Sequence, residues 1–168
     1  MREHSRDRGR LEDIVKYAQN VNFIISGISY EEFTKDIRIY YSVMKNIEVI
    51  GEAANMLTRH FRETHAELPW RQIVSMRNVL VHGYAQVSDA DLWQTATSDI
   101  QPLCEQVLRY LSDTDWEEWQ KGVDPYSEVD NAAYKQAVDS ARKMKVKCYA
   151  VQEIAEITGL TAEEIEAL

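Results

Sequence analysis

The sequence predicts an all-α protein: an antiparallel helical bundle followed by a short C-terminal helical appendage. Three observations predict it. Apolar residues recur at three- and four-residue steps through most of the first 112 positions, which is the period of amphipathic helices. Only three prolines and six glycines interrupt the 168 residues. The balance of 45% hydrophobic and 28% charged residues is that of a helix-rich globular chain, not a disordered one.

In chain order, Leu11, Ile14, Val15, Ala18, Val21 and Ile25 form the stripe of a first helix, closed by Gly27. A second and longer stripe runs through Ile39, Val43, Ile47, Ile50, Ala54 and Leu57, about six turns without a proline, and is expected to form the spine of the core. Within it Gly51 lets a neighbouring helix approach closely, because it carries no β-carbon. Pro69 can start a third helix at Trp70 that continues to Val81, with Gly83 as a left-handed C-terminal cap. Asp89 or Asp91 can cap a fourth helix with apolar positions Leu92, Ala96, Ile100, Leu103, Val107 and Leu111. Short connections between such helices imply an antiparallel bundle over residues 1–112.

Beyond Leu111 the texture changes. Residues 113–125 carry acids, a glycine and a proline and read as a linker or a short irregular helix. Residues 126–168 then offer an alanine-rich helix from about Ser127 to Met144, a short helix ending at Gly159, and a last one opened by Thr161 with Glu164 three residues on, a capping box. This end has a helix-turn-helix shape.

Charge and composition narrow the function classes. The net charge of -9 argues against general affinity for nucleic acid, but 13 acids against 6 bases follow residue 112, whereas 15 stand against 13 before it. The acidity therefore sits in the tail. Ala150 to Leu168 holds five glutamates and no Lys or Arg, so direct DNA binding by the tail is disfavoured and a packing or protein-docking hairpin preferred. No apolar run approaches the roughly 20 residues of a membrane span, and the Arg-rich start leads into a helical pattern instead of a signal core. A cytoplasmic protein is expected. Cys104 and Cys148 form no CxxC pair, and His4, His60, His65 and His82 form no HxxxH or HxxEH cluster, so no metal site and no cofactor are expected.

One position breaks the apolar pattern. On the third helix Trp70, Ile73, Val74, Leu80, Val81 and Tyr84 share a stripe, and Arg77 falls in its middle. An unpaired buried charge costs several kcal/mol, so Arg77 must meet an acid, a bound anion or a wet cleft between subunits. An internal pair with Glu48 or Glu52 is the structural alternative. His82 stands five residues on, about 140° away around an ideal helix. A helix break at Gly83 and a two-fold partner chain would bring Arg77 and His82 into one cleft.

The order and spacing of IEVIGEAA (Ile47 to Ala54), PW (Pro69, Trp70), MRNVLVHGY (Met76 to Tyr84) and VSDADLW (Val87 to Trp93) resemble the HepT-like branch of the HEPN ribonucleases over roughly residues 7–112. The family signature of Arg, a polar residue, three positions, His and then a Tyr two residues on matches Arg77, Asn78, His82 and Tyr84. The resemblance implies a bundle that forms a homodimer with both motifs in a shared cleft, and a toxin that cleaves RNA without a metal. In that reaction the ribose 2′-hydroxyl attacks the adjacent phosphorus and the 5′-oxygen leaves. Arg77 and His82 are then the catalytic residues, and Asn78 either orients the phosphate or a histidine or is simply a solvated polar residue. The resemblance also implies an antitoxin partner, a minimal nucleotidyltransferase that adenylates Tyr84. The tail, VQEIAEITGLTAEEIEAL, resembles the end of transposase-like PD-(D/E)xK nucleases, whose catalytic domain has no counterpart here, so no nuclease residue carries over from it. Two alternatives remain at this level: a non-catalytic HEPN module that binds nucleotide or RNA, and a structural partner subunit of a nucleotidyltransferase.

Overall fold

The apolar stripes become helices. The computed structural model describes residues 6–82, 87–122, 127–147 and 149–168, the side chains of 82, 127–131 and 163 excepted. No strand occurs among them. They form two compact units, one ending at Gly122 and one after it.

In the first unit, α1 (Asp7–Ile25) buries Leu11, Ile14, Val15, Ala18 and Val21, and Gly27 beyond its end takes the left-handed conformation at φ 74°. Helix α2 (Tyr30–Lys35) opens with a capping box, Ser29 and Glu32 each accepting from the other's backbone N–H. Helix α3 (Ile37–Met56) is capped by Asp36 and buries Val43, Ile47, Ile50, Gly51 and Ala54. It packs on α1, which also packs on a later helix, so α1 and α3 form the heart of the bundle.

Helix α4 (Arg59–Thr64) follows at once, its cap Thr58 buried and tied to Asp7 of α1. The Asp7 carboxylate accepts from Thr58 N at 2.8 Å and Thr58 Oγ1 at 2.6 Å, with Arg10 alongside at 3.4 Å. This closes a polar knot inside the bundle that no local pattern announces. Pro69 O accepts from Gln72 and Ile73, opening α5 (Trp70–His82), which lies on α3. Helix α6 (Asp89–Gln94) is capped by Ser88, whose Oγ accepts from Asp91 N; the cap is thus neither Asp89 nor Asp91, which fall inside the first turn and favour its positive end. A π-helical turn (Thr95–Asp99) joins it to α7 (Ile100–Asp113), so the fourth predicted helix is continuous in direction but wider at one turn. The cap expected at Gly83 lies outside the described residues.

Helix α8 (Trp116–Lys121) falls in the segment that reads as a linker or a short irregular helix, and its Trp116 is only 8% exposed within the bundle core. An aromatic cluster forms around Phe61 of α4: Trp116 stacks on it at 6.3 Å, His65 at 4.1 Å, and Trp119 meets it edge-on at 5.5 Å.

The second unit has its own small core of Ala141, Ile154, Leu160 and Ile165. It comprises α9 (Ser127–Val146), α10 (Val151–Thr158) and α11 (Ala162–Glu166). Gly159 ends α10 at φ 72°, and the Thr161 and Glu164 side chains bond reciprocally across the start of α11.

Candidate active site

Helix α5 turns Trp70 and Leu80 into the core and leaves Ile73, Val74 and Arg77 half-buried along the same stripe. The cation that interrupts the stripe meets Gly51 of α3. A methyl group on Gly51 would overlap Arg77 Cβ and sit 3.1 Å from Ile73 O. Gly51 is therefore the contact that lets α5 approach α3 at this turn, and Arg77 is what fills the space.

The guanidinium then reaches Glu52, the next residue of α3, with Arg77 Nε 2.8 Å from Glu52 Oε2. Both atoms are shielded from solvent and off the N–H···O line, so they share charge without a hydrogen bond. The side chains as a whole remain partly open, Arg77 22% and Glu52 36% exposed. Glu48, the other glutamate within reach by sequence, is drawn instead to Lys45 at 2.6 Å. Arg77 Nη1 donates to Asn78 Oδ1 at 3.1 Å, so the guanidinium is held on one edge by an acid and on another by an amide. Within a single chain, then, Arg77 makes the internal ion pair that sequence offered as its structural role. A guanidinium has five donors in a planar fork, and these two contacts leave donors over for an anion.

His82 is the last residue of α5. Its side chain, and Tyr84 altogether, lie outside the described residues. The helical backbone runs unbroken from Arg77 to His82, which sets the two positions about 140° apart around the axis. Their convergence within one copy receives no help from the helix.

The other described histidines are committed elsewhere. His60 stacks on Trp119 at 4.8 Å, and His65 stacks on Phe61 with its Nδ1 3.1 Å from Phe61 O. Among the described residues no group of His, Cys, Asp and Glu gathers as metal ligands. Cys104 is buried, and burial pushes its thiol pKa up, away from nucleophilic use; Cys148 lies outside the described residues. No helix is long and apolar enough to cross a membrane among the described residues.

The model of a family described as Ribonuclease HepT-like matches residues 10–110. A protein of Caldanaerobacter subterraneus subsp. tengcongensis with a provisional RNase name is 36% identical over 104 residues, 62% of this chain and 93% of its own length. One of Thermococcus cleftensis, provisionally named ribonuclease HepT, is 34% identical over 93 residues, covering 55% of this chain and 84% of that one. One of Methanocaldococcus jannaschii, also provisionally an RNase, is 33% identical over 97 residues, 58% and 89% of the two chains. No solved structure matches.

Proposed function

We propose that this chain, which belongs to the HepT-like ribonuclease family and is an endoribonuclease, cleaves RNA without a metal in a cleft shared by two copies. The observation that carries the reading is Arg77: a cation set in the middle of an apolar stripe, packed on Gly51 and steered by Glu52 and Asn78. A residue kept there only for packing would be apolar. A residue meant to meet a phosphate needs a guanidinium with its orientation fixed in advance.

The reaction moves two protons. A base takes the 2′-hydroxyl proton, the 2′-oxygen bonds to the adjacent phosphorus, the bond to the 5′-oxygen breaks, and an acid protonates that oxygen. The products are a 2′,3′-cyclic phosphate and a 5′-hydroxyl. His82 of one copy serves as base and His82 of the second as acid, since imidazole exchanges protons near neutrality. Arg77 of each copy stabilises charge on the phosphoryl oxygens, and Asn78 holds the guanidinium's angle. The separation of Arg77 and His82 around α5 is the physical reason for two copies, because each copy then supplies what the other's helix turns away.

We further read the chain as the toxin of a pair whose antitoxin is a minimal nucleotidyltransferase. The Tyr84 oxygen attacks the α-phosphorus of ATP, pyrophosphate leaves, and the bound adenylate sets its anionic phosphate against Arg77 in the place of RNA.

The test is purified full-length protein with RNA and matched DNA in EDTA. RNA is cut to cyclic-phosphate ends and DNA, lacking the 2′-hydroxyl, is left intact. His82→Ala reduces cleavage by about 100- to 10,000-fold and Arg77→Lys removes most of it, with the dimer retained by sedimentation. Dependence on added divalent metal, or an active His82→Ala protein, overturns the mechanism.

A further inference from the structure

We infer that the groove between α4 and α5 is a track for RNA backbone phosphates flanking the bond to be cut; this rests on the reading that Arg77 lies at the reacting phosphate. The groove has a volume of about 580 Å³ and is lined, among the described residues, by Arg59, Arg62 and Arg71, with Glu63 as the acid and Ser75 and Asn78 among the neutral walls. Such a concentration of arginine is unlike its surroundings, since the residues up to 112 carry 15 acids against 13 bases. Glu63 lies 2.7 Å from Arg59, and the described lining carries three guanidinium groups and one carboxylate.

Continuity with the candidate site comes from α5. Arg71, Ser75 and Asn78 follow at four- and three-residue steps, so they form one stripe of that helix, about 10 Å from end to end. At the far end of the stripe the Asn78 side-chain oxygen Oδ1 accepts from Arg77 Nη1 at 3.1 Å. The groove thus leads to the guanidinium assigned to the reacting phosphate, and Asn78 belongs to both. Its length suits a short run of backbone beside the cut, not a long duplex.

The chemistry of the lining selects phosphate over base. Guanidinium groups hold phosphate oxygens in pairs, and Ser75 adds a hydroxyl donor. Trp70 is the aromatic residue of the lining, but it is 6% exposed and its indole N–H is spent on His65 O at 2.7 Å, so it offers no stacking face. A lining with cations and, among the described residues, no open aromatic surface binds backbone without reading sequence. The groove therefore contributes affinity and orientation, and sequence preference must arise elsewhere.

The experiment uses the full chain carrying His82→Ala, so that RNA survives, with a labelled single-stranded RNA oligomer followed by fluorescence anisotropy over a salt series. In that background Arg71→Ala and Arg62→Ala each weaken binding several-fold at low salt and flatten the slope of log affinity against log salt by about 0.7, the value for one phosphate contact on a single strand. Arg71→Glu weakens binding further. Single-stranded DNA of the same sequence shows the same losses, because the track reads phosphate. Arg38→Ala is the control, since Arg38 stands at the opposite end of α3 from Gly51 and pairs with Asp36. Arg71 is exposed, so its variants decide the matter if Arg62→Ala lowers the melting temperature.

Unchanged affinity and slope in the Arg71 variants overturn the track, even if wild-type protein cuts RNA well. Conversely, wild-type protein that binds RNA through these arginines and never cuts it overturns the cleavage mechanism and leaves the track standing. Loss of binding equal to that of Arg38→Ala marks a general charge effect and also overturns the track.

Discussion

At the level of single residues the site depends on an absence, the missing side chain of Gly51. Arg77 Cβ, which a methyl on Gly51 would overlap, is anchored to the α5 backbone, so α5 itself must yield. Overpacking of this kind costs about 1–3 kcal/mol. Gly51→Ala is therefore expected to lower the melting temperature and to cut RNA cleavage by more than the fraction unfolded, because the guanidinium moves with the helix. An alanine variant with native melting and native turnover would show that the approach of α3 and α5 is immaterial. The close approach was legible in the sequence, as a glycine inside an apolar helix usually has a packing reason; its partner was not, because no local pattern relates Gly51 to Arg77. The choice between Glu48 and Glu52 was equally illegible, and it is resolved by geometry, Lys45 claiming one and Arg77 the other. Tyr84→Phe tests the proposed silencing: it removes the oxygen that takes adenylate and keeps the ring. With partner nucleotidyltransferase and ATP, intact mass should rise for wild type and not for Tyr84→Phe, which should stay active. A rise that persists in the variant would move the modification to another residue.

Among the elements, length decided what the sequence could announce. The long stripes of α1, α3 and α7 repeat often enough to be read, and most of the apolar positions on them are buried. Helices α2, α4 and α8 have six residues each and bury one apolar anchor apiece, Phe33, Phe61 and Trp116. One anchor has no period, which is why periodicity passes over them. Their caps were the available signal: Ser29, backed by Glu32 three residues on, Thr58 and Asp115 each stand just before a helix start. Asp36 shows what such a cap does. Its carboxylate accepts from the Arg38 side chain at 2.7 Å and the Arg38 N–H at 2.9 Å, and these bonds hold its pKa down, from 3.8 to about 2. A depressed carboxylate contributes stability above its unfolded pKa and loses it as pH falls through the folded one. Wild-type melting temperature should therefore decline between pH 3.8 and about 2 more steeply than that of Asp36→Asn, which keeps a capping oxygen and does not titrate. Screening at this exposed site keeps the difference small. Parallel pH curves would mean the cap carries no charge-dependent stability.

For the molecule as a whole, the sequence showed a bundle and a tail because the composition shifts beyond Leu111, but composition cannot say to which side an acidic segment with two tryptophans belongs. Exposed tryptophan is uncommon, so two tryptophans in one acidic segment are the signal that it packs. Trp116 is buried on Phe61 and its indole N–H donates to Leu111 O at 2.9 Å, while Trp119 stacks with His60. Truncation separates composition from packing. A chain ending at Gly122 keeps α8 and every buried residue of the larger core. It should fold cooperatively, dimerise and cleave RNA in EDTA. A chain ending at Ser112 removes Trp116 and uncovers the aromatic cluster around Phe61, a loss comparable to deleting one core tryptophan, about 3–5 kcal/mol. That is a large fraction of the 5–15 kcal/mol that stabilises a typical domain, so the shorter chain should melt far lower or without cooperativity. Thermal melts of the two, read beside the full chain, decide the edge of the catalytic unit. Equal stability of both truncations would return residues 113–122 to a linker, and failure of the longer one would make the tail part of the core.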